Sequence, residues 1–309
     1  MSQWNKKNLA FVMVSGGYKY DGFTKEGYHV FSPYVKTGLF LRLLREICFR
    51  LPFLPKKIWY NRKIINENLR YIIVFDALIT SHYLRWLKGI FPDTKIFFKY
   101  ENMVGKARHL LPNEIPSDIM IWTYDEYDSE KYHINFYKNY IYFQAFVRPR
   151  KDPEYDVFYV GRDKGRGEYL LKLEKEMKKL GLKTKFIITS DGRFASKKPY
   201  HQNELNYMEI VEYLTKSRAV LNVVMENQHG VTLRDAEAVF FNLKLITTNS
   251  HIIHADFYSP DRVFILGERD MDELKGFVRE KAVPVDVDLL KKHSISGMID
   301  EITNDFVHI

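Results

Sequence analysis

The stretch Asp156–Gly181, DVFYVGRDKGRGEYLLKLEKEMKKLG, decides how this chain is read. Asp156–Val160 is a short apolar and aromatic run bounded by glycine, the pattern of a buried strand. Glu168–Leu180 puts Leu170, Leu171, Leu173, Met177 and Leu180 on one face among Lys and Glu, an amphipathic helix closed by Gly181. Between them lies Gly161–Gly167, GRDKGRG. Its glycines let the backbone approach an anion, and the helix start that follows adds partial positive charge. Arg162, Lys164 and Arg166 carry the charge to neutralise a diphosphate. A basic surface turn is an equal reading of the same residues.

Working outward, the strand–helix unit recurs on both sides. Upstream, strand-like runs are expected at Leu9–Ser15 (ending in Gly16-Gly17), Tyr71–Phe75, Lys95–Tyr100, Met120–Thr123 and Ile141–Phe143, with helices at Leu39–Phe49 and Ser81–Gly89. Downstream, strands are expected at Thr184–Thr189, Ala219–Val224, Lys244–Thr247 and Val263–Leu266, separated by helices at Tyr207–Ser217 and Leu233–Phe241, with another at Met271–Val278. Short apolar runs alternating with helices predict parallel sheets with crossover helices. Pro149 and Pro153, set among charges in Phe146–Glu154, read as a linker between the two arrays. The expected fold class is therefore α/β, with two Rossmann-like domains facing a cleft: 1–148, 149–290, and a C-terminal helix at 291–309 that packs back on the first domain.

Composition agrees with two ordinary domains. The chain has 309 residues, 46% hydrophobic and 28% charged, so it has the material for real cores. Its single cysteine, Cys48, permits no intrachain disulfide and points to a reducing compartment. The polar start and short apolar run Leu9–Val14 read as a first strand rather than a signal peptide, and no stretch has the apolar length of a membrane span. The chain is accordingly expected in the cytoplasm.

Gln228–Ala238, QHGVTLRDAEA, follows the apolar run Leu221–Val224 and enters a helix bearing Thr232, Arg234 and Glu237. A carboxylate early in such a helix is placed to accept from two vicinal ribose hydroxyls. Taken alone, Glu237 is more simply an acid that favours the helix start. Ile246–Asn249 adds small polar residues at another strand end.

Taken together, VGRDKGR, YLTKSRAVLNVV, QHGVTLRDAEAVFFNLKLITTNSHI and DFYSPDRVFI resemble, in this order, the C-terminal, donor-binding domain of GT-B glycosyltransferases. The narrower likeness is to bacterial enzymes that build lipopolysaccharide, capsule and exopolysaccharide. It covers roughly residues 155–268. The resemblance implies an EC 2.4, hexosyltransferase-type reaction on a UDP-, GDP- or dTDP-linked sugar, with a glycan or lipid-linked acceptor. It implies that Glu237 holds the donor ribose, that Gly161 and Arg162 lie near the diphosphate, that Thr232 and Arg234 contact phosphate or sugar, and that Gly230 passes close to the donor. Lys164, Arg166 and His229 complete the expected donor set. Retaining families often carry Glu, seven residues, then Glu; here the first of the two positions is His229, so the anomeric outcome stays open.

The first domain is then the acceptor side. A base that takes the acceptor proton belongs at a strand's carboxyl end, which nominates Asp21, Asp76 and Glu101, each equally readable as a cap or surface acid. His82 and the Asp125/Asp128 pair are weaker candidates. No metal and no cofactor are expected, since helix termini and basic side chains can carry the leaving diphosphate's charge. Asp286-Val287-Asp288 and the His251/His254 pair read as loop residues.

Net charge is +8, and Lys36–Lys63 holds eight cations against Glu46 alone. Interleaved with Phe, Leu, Ile, Trp and Tyr, this segment has the pattern of a peripheral anchor on an anionic membrane surface, at the inner membrane face; a core helix with a basic face is the plain alternative. No nucleic-acid motif accompanies the charge, and Gly16-Gly17 lacks the G-x-G-x-x-G run of a nicotinamide site. A non-catalytic nucleotide- or membrane-binding scaffold of a polysaccharide complex remains the rival reading.

Overall fold

A computed structural model describes residues 4–51, 53–105, 110–137, 141–192, 195–225 and 230–304. The chain divides into two compact units, Met1–Lys138 with Ile299–Ile309, and Asn139–Met298. The proline-rich stretch 146–154 thus lies inside the second unit.

In the first unit the order is β1 (Leu9–Val12), α1 (Tyr18–Lys25), β2 (His29–Phe31), α2 (Leu39–Arg50), β3 (Tyr71–Phe75), α3 (Ser81–Ile90), β4 (Lys95–Lys99), β5 (Met120–Thr123), α4 (Glu126–Tyr132) and β6 (Asn135–Phe136). The six strands form one parallel sheet in the order β2-β1-β3-β4-β5-β6. Side chains alternate between its faces. Ala10, Val12, Ile72, Val74, Ile96 and Phe98 enter a core with Tyr83, Leu84 and Leu87 of α3. On the opposite face Phe11, Phe23 and Phe75 pack as an aromatic cluster, with Phe11 and Phe23 ring centres 4.1 Å apart. Both faces are covered, which is why these strands read as unbroken apolar runs.

The second unit follows the same plan. It runs β7 (Tyr155–Arg162), α5 (Gly167–Lys179), β8 (Thr184–Thr189), α6 (Tyr207–Thr215), β9 (Ser217–Asn222), α7 (Leu233–Phe240), β10 (Lys244–Thr247), β11 (Val263–Ile265), α8 (Leu274–Arg279) and α9 (Val287–Lys292). Then α10 (Ile295–Asn304) begins in this unit and runs into the residues counted with the first, where Asp300 accepts from Trp4 Nε1 at 2.8 Å. The five strands are parallel in the order β11-β10-β9-β7-β8. Leu170, Leu173 and Met177 of α5 and Leu274 and Phe277 of α8 pack on alternate strand residues such as Val157, Tyr159, Ala219 and Leu221.

In each sheet the first strand in sequence is flanked by the second and third, so the strand order reverses there. Such a switch point opens a crevice at the carboxyl ends of the strands, the place where open α/β sheets bind ligands. Here those ends are Val12 and Phe75 in the first unit, and Arg162 and Asn222 in the second.

One expectation is corrected, and one strand was missed. Ile141–Phe143 forms no strand; the sixth strand is the two-residue β6, and Gln144–Phe146 is a 3₁₀ turn. Tyr142 and Phe143 are buried as packing side chains, so an apolar run need not mean a strand. The brief β2, with its residues only half-buried, lacked the apolar run that betrays a strand.

Candidate functional site

At the second unit's switch point, β7 ends in Gly161-Arg162 and turns into α5 through Asp163–Arg166. The turn is left-handed at Lys164 (φ 46°) and Gly165 (φ 78°). Asp163 holds it. Its buried carboxylate accepts from Gly167 N–H at 2.8 Å, the Tyr200 hydroxyl at 2.7 Å and His201 Nε2 at 2.8 Å, with Lys198 Nζ at 3.4 Å. Burial pushes this acid up, but the bonds from His201, Tyr200, Gly167 and Lys198 together hold it well below the usual carboxylate range. His201 Nδ1 accepts from Lys198 N–H at 3.0 Å, which assigns the ring proton to Nε2. Gly167 is required by space: a Cβ there would fall onto the Tyr200 ring and hydroxyl.

The three cations of this turn do different things. Arg162 and Lys164 are exposed, Arg162 lying 3.4 Å from Glu204. Lys164 N–H donates to Asp191 at 2.6 Å. Arg166 turns inward: its guanidinium donates to the carbonyls of Arg162, Asp163 and Val223. It therefore bridges the end of β7 to the end of β9 across the switch point.

From β9 the chain reaches α7, whose start is locked by Asn222. Asn222 Nδ2 donates to Thr232 Oγ1 at 3.0 Å and to Asp235 Oδ1 at 2.7 Å, while Thr232 N–H donates to Asp235 Oδ2 at 2.7 Å. Thr232 is the helix cap, and Thr-x-x-Asp is a capping box. Gly230 is half-buried just ahead of it; His229 lies outside the described residues.

Glu237 is wholly buried. Arg234 Nη1 donates to Oε2 and the Tyr207 hydroxyl to Oε1 at 3.0 Å. Burial pushes the carboxyl up to about 7, against the opposing pull of Arg234 and Tyr207. Both oxygens are engaged inside the protein, and with the side chain wholly buried a ribose diol reaches this carboxylate only if the packing over it opens. Asp235, also buried, is shifted upward by burial too.

The first unit gathers a second cluster at the ends of β3 and β4. Glu101 pairs with Lys99 Nζ at 2.6 Å and with Lys19 Nζ. Asp76, fully buried, follows β3, and Asn102 Nδ2 lies 3.4 Å from its Oδ2. Burial lowers Lys99 to about 7, helped by Lys19 and opposed by Asp76; burial lowers Lys19 to about 8, again opposed by Asp76. Asp76 and Glu101 thus both act on the same two lysines, Lys19 and Lys99. Asp21 does not join them: it lies in the first turn of α1, exposed, its N–H on Gly17 O at 3.2 Å. The loop leading there passes through Gly16 (φ 86°) and Gly17 (φ 137°).

Among the weaker candidates the aspartates have structural partners. Asp125 caps α4, and buried Asp128 accepts from Val104 N–H at 2.7 Å. Asp286 caps α9. His82 sits in the first turn of α3, lowered by burial and by Lys56 and Arg85. His251 and His254 share a 3₁₀ turn with ring centres 6.4 Å apart, and among the described residues no three His, Cys, Asp or Glu side chains gather as a metal site. Sequence reasoning missed Asp163 as an organiser, Tyr207, Asn222 and the two lysines. The Thr-x-x-Asp box was legible; Lys99, inside an apolar strand, carried no signal.

No protein-family profile and no curated protein matches the chain. Solved structures are similar to it. A DNA-modifying β-glucosyltransferase, solved with and without uridine diphosphoglucose, shares 14% identity over 96% of this chain and 95% of its own, with a TM-score of 0.48. A sucrose-phosphate synthase from Thermosynechococcus elongatus shares 9% identity over 97% and 98%, with a TM-score of 0.49. MurG of Acinetobacter baumannii shares 10% over 96% and 99%, with a TM-score of 0.40. All three scores fall under 0.5, so the fold is argued from the strand orders above. The chain is an α/β protein of two parallel, doubly wound sheets, the architecture expected of the GT-B type.

Proposed function

We propose that the chain is a glycosyltransferase of the hexosyltransferase type, moving a sugar from a UDP-, GDP- or dTDP-linked donor to a glycan or lipid-linked acceptor. The observation that carries the reading is the second switch point, where Arg166 ties the end of β7 to the end of β9 beside the start of α5. The tie leaves the Arg162 and Lys164 side chains exposed at the strand ends. Exposed cations at a strand's carboxyl end suit a diphosphate. In this reading the donor base and ribose lie toward Gly230 and α7, and Glu237 meets the ribose after Arg234 or Tyr207 gives way. The first unit takes the acceptor. The leaving diphosphate is stabilised by these side chains, without a bound metal or other cofactor. The biological setting we propose is bacterial cell-surface polysaccharide synthesis, such as lipopolysaccharide or capsule, at the inner membrane face.

The closed state of Glu237 is the observation that favours the rival, a non-catalytic scaffold, since a scaffold has no need to open it. Thermal unfolding of the full chain with UDP, GDP and dTDP separates the two from a protein without this site, because a ligand that binds the folded state raises the melting temperature. One nucleotide is expected to raise it, and an Arg162→Ala, Lys164→Ala variant to lose the rise. No shift with any nucleotide sinks the donor site; a shift without release of nucleotide from its sugar conjugate favours the scaffold.

A further inference from the structure

α2 is built inside out. Its buried side chain is Arg45, whose guanidinium lies over the Tyr34 ring at 4.8 Å from the centroid, beside Glu46 at 3.7 Å. Its apolar side chains face water instead: Leu39 is 76% exposed, Phe40 71%, Leu43 58% and Ile47 50%. At about 100° per residue these positions share one arc of the helix, opposite Arg45. Beyond the helix, Phe53 and Ile58 are exposed as well, at 77% and 59%. In α3 Leu84 and Leu87 are buried, and in α5 so are Leu170 and Leu173, as a soluble helix requires. A contiguous exposed apolar surface of this kind marks an interaction site.

The charge around it selects the occupant. Of the eight cations between Lys36 and Lys63, Arg45 and Lys56 are buried and the other six are exposed. They belong to the same segment as the apolar arc, and Glu46, its one acid, lies 3.7 Å from Arg45. An apolar strip bordered by basic side chains fits acyl chains below anionic headgroups.

We infer that α2 and the segment to Lys63 dock this protein flat on an anionic phospholipid bilayer, with Leu39, Phe40, Leu43 and Ile47 inserted between lipids. This inference stands on α2 and does not depend on the donor site. No helix among the described residues is long and apolar enough to cross a membrane, so the attachment is to one leaflet.

The test is flotation of the full chain on large unilamellar vesicles of phosphatidylcholine, with and without phosphatidylglycerol, at low salt. The wild type is expected to float with the phosphatidylglycerol vesicles and to stay largely below the neutral ones. Lys57→Gln with Lys63→Gln should weaken binding by about fivefold per cation. Leu43→Glu with Ile47→Glu, both at exposed positions, should abolish flotation while the circular-dichroism melt is unchanged. Equal flotation on neutral vesicles, or none on anionic ones, overturns the inference. So does a dimer in sedimentation, present in the wild type without vesicle binding and lost in the Leu43→Glu, Ile47→Glu variant, which would make a second copy the occupant.

Discussion

The Tyr207 hydroxyl donates to Glu237 Oε1 at 3.0 Å, and this bond joins α6 to α7 beneath the second switch point. Tyr207 also lies 2.8 Å from the Tyr142 hydroxyl; with its one O–H donated to Glu237, it accepts from Tyr142. Burial holds the Tyr207 hydroxyl far above the ordinary tyrosine range, so it stays a donor at all working pH. Glu237 is the buried end of this chain, and its two donors, Tyr207 and Arg234, are half-buried.

Glu237 makes stability fall with pH across one window. Its carboxyl has an ordinary value of 4.5 and is pushed up to about 7 in the folded protein. The folded state therefore binds the extra proton between those values, and the contribution is complete below about pH 4.5 and lost as pH rises through about 7. The size is on the order of 3 kcal/mol. Denaturant unfolding of wild type and Glu237→Gln at several pH values checks it: the Gln variant, which cannot ionise, should lose this slope. An unchanged slope assigns the buried charge elsewhere.

Asp163 acts with the opposite sign. Its carboxyl is held well below 3.8, so its contribution is present above that value and is lost as pH falls. Asp163→Ala leaves the Gly167 N–H, Tyr200 and His201 donors without their acceptor, at a cost of about 2–4 kcal/mol. Thermal melts near neutral pH should show it as a clear drop in melting temperature.

Gly167→Ala tests the same turn by size. The added methyl displaces Tyr200 from Asp163, for an expected loss of about 1–3 kcal/mol. Combined with Tyr200→Ala, which empties the space, the double variant should lose less than the sum of the two single changes. Strict additivity would show that the ring and the glycine do not share that space.

Lys99 gives a third pH signature. Burial lowers it from 10.5 to about 7, so between those values the unfolded chain binds more protons and stability rises with pH. Lys99→Met, which keeps the stem's packing between Phe75 and Tyr137, should remove most of the rise between pH 7 and 10. Unfolding at pH 7 and pH 9.5 measures it.

The three candidate bases separate by exposure. Glu101 is tied to two lysines and Asp76 is fully buried, whereas Asp21 is exposed on α1 after the glycine turn. Once a donor and acceptor are in hand, Asp21→Asn should lower kcat by about 10²–10⁴-fold with its melting temperature unchanged. Glu101→Gln should chiefly destabilise. Full activity in Asp21→Asn would shift the role to Asp76.

The sheets were legible because a strand covered on both faces must be apolar throughout, as in YIIVF and KIFFK. The sites were less so. Thr232 and Arg234 were read as ligand contacts from the residue pattern; their places as cap of α7 and partner of Glu237 carried no such local signal. A residue type at a helix start suits an anion and a backbone N–H equally well, and only the neighbours distinguish them.

The sequence by itself determined the two α/β arrays, the turn at 161–167 and the basic, apolar segment at 36–63, because each is a matter of local periodicity and composition. Tertiary structure alone decided which side of α2 faces water, that Arg166 bridges two strands rather than meeting solvent, and that Tyr207 closes on Glu237 from 30 residues away. These are contacts between elements distant in the chain. Their energies depend on burial and on partners, neither of which a local pattern records.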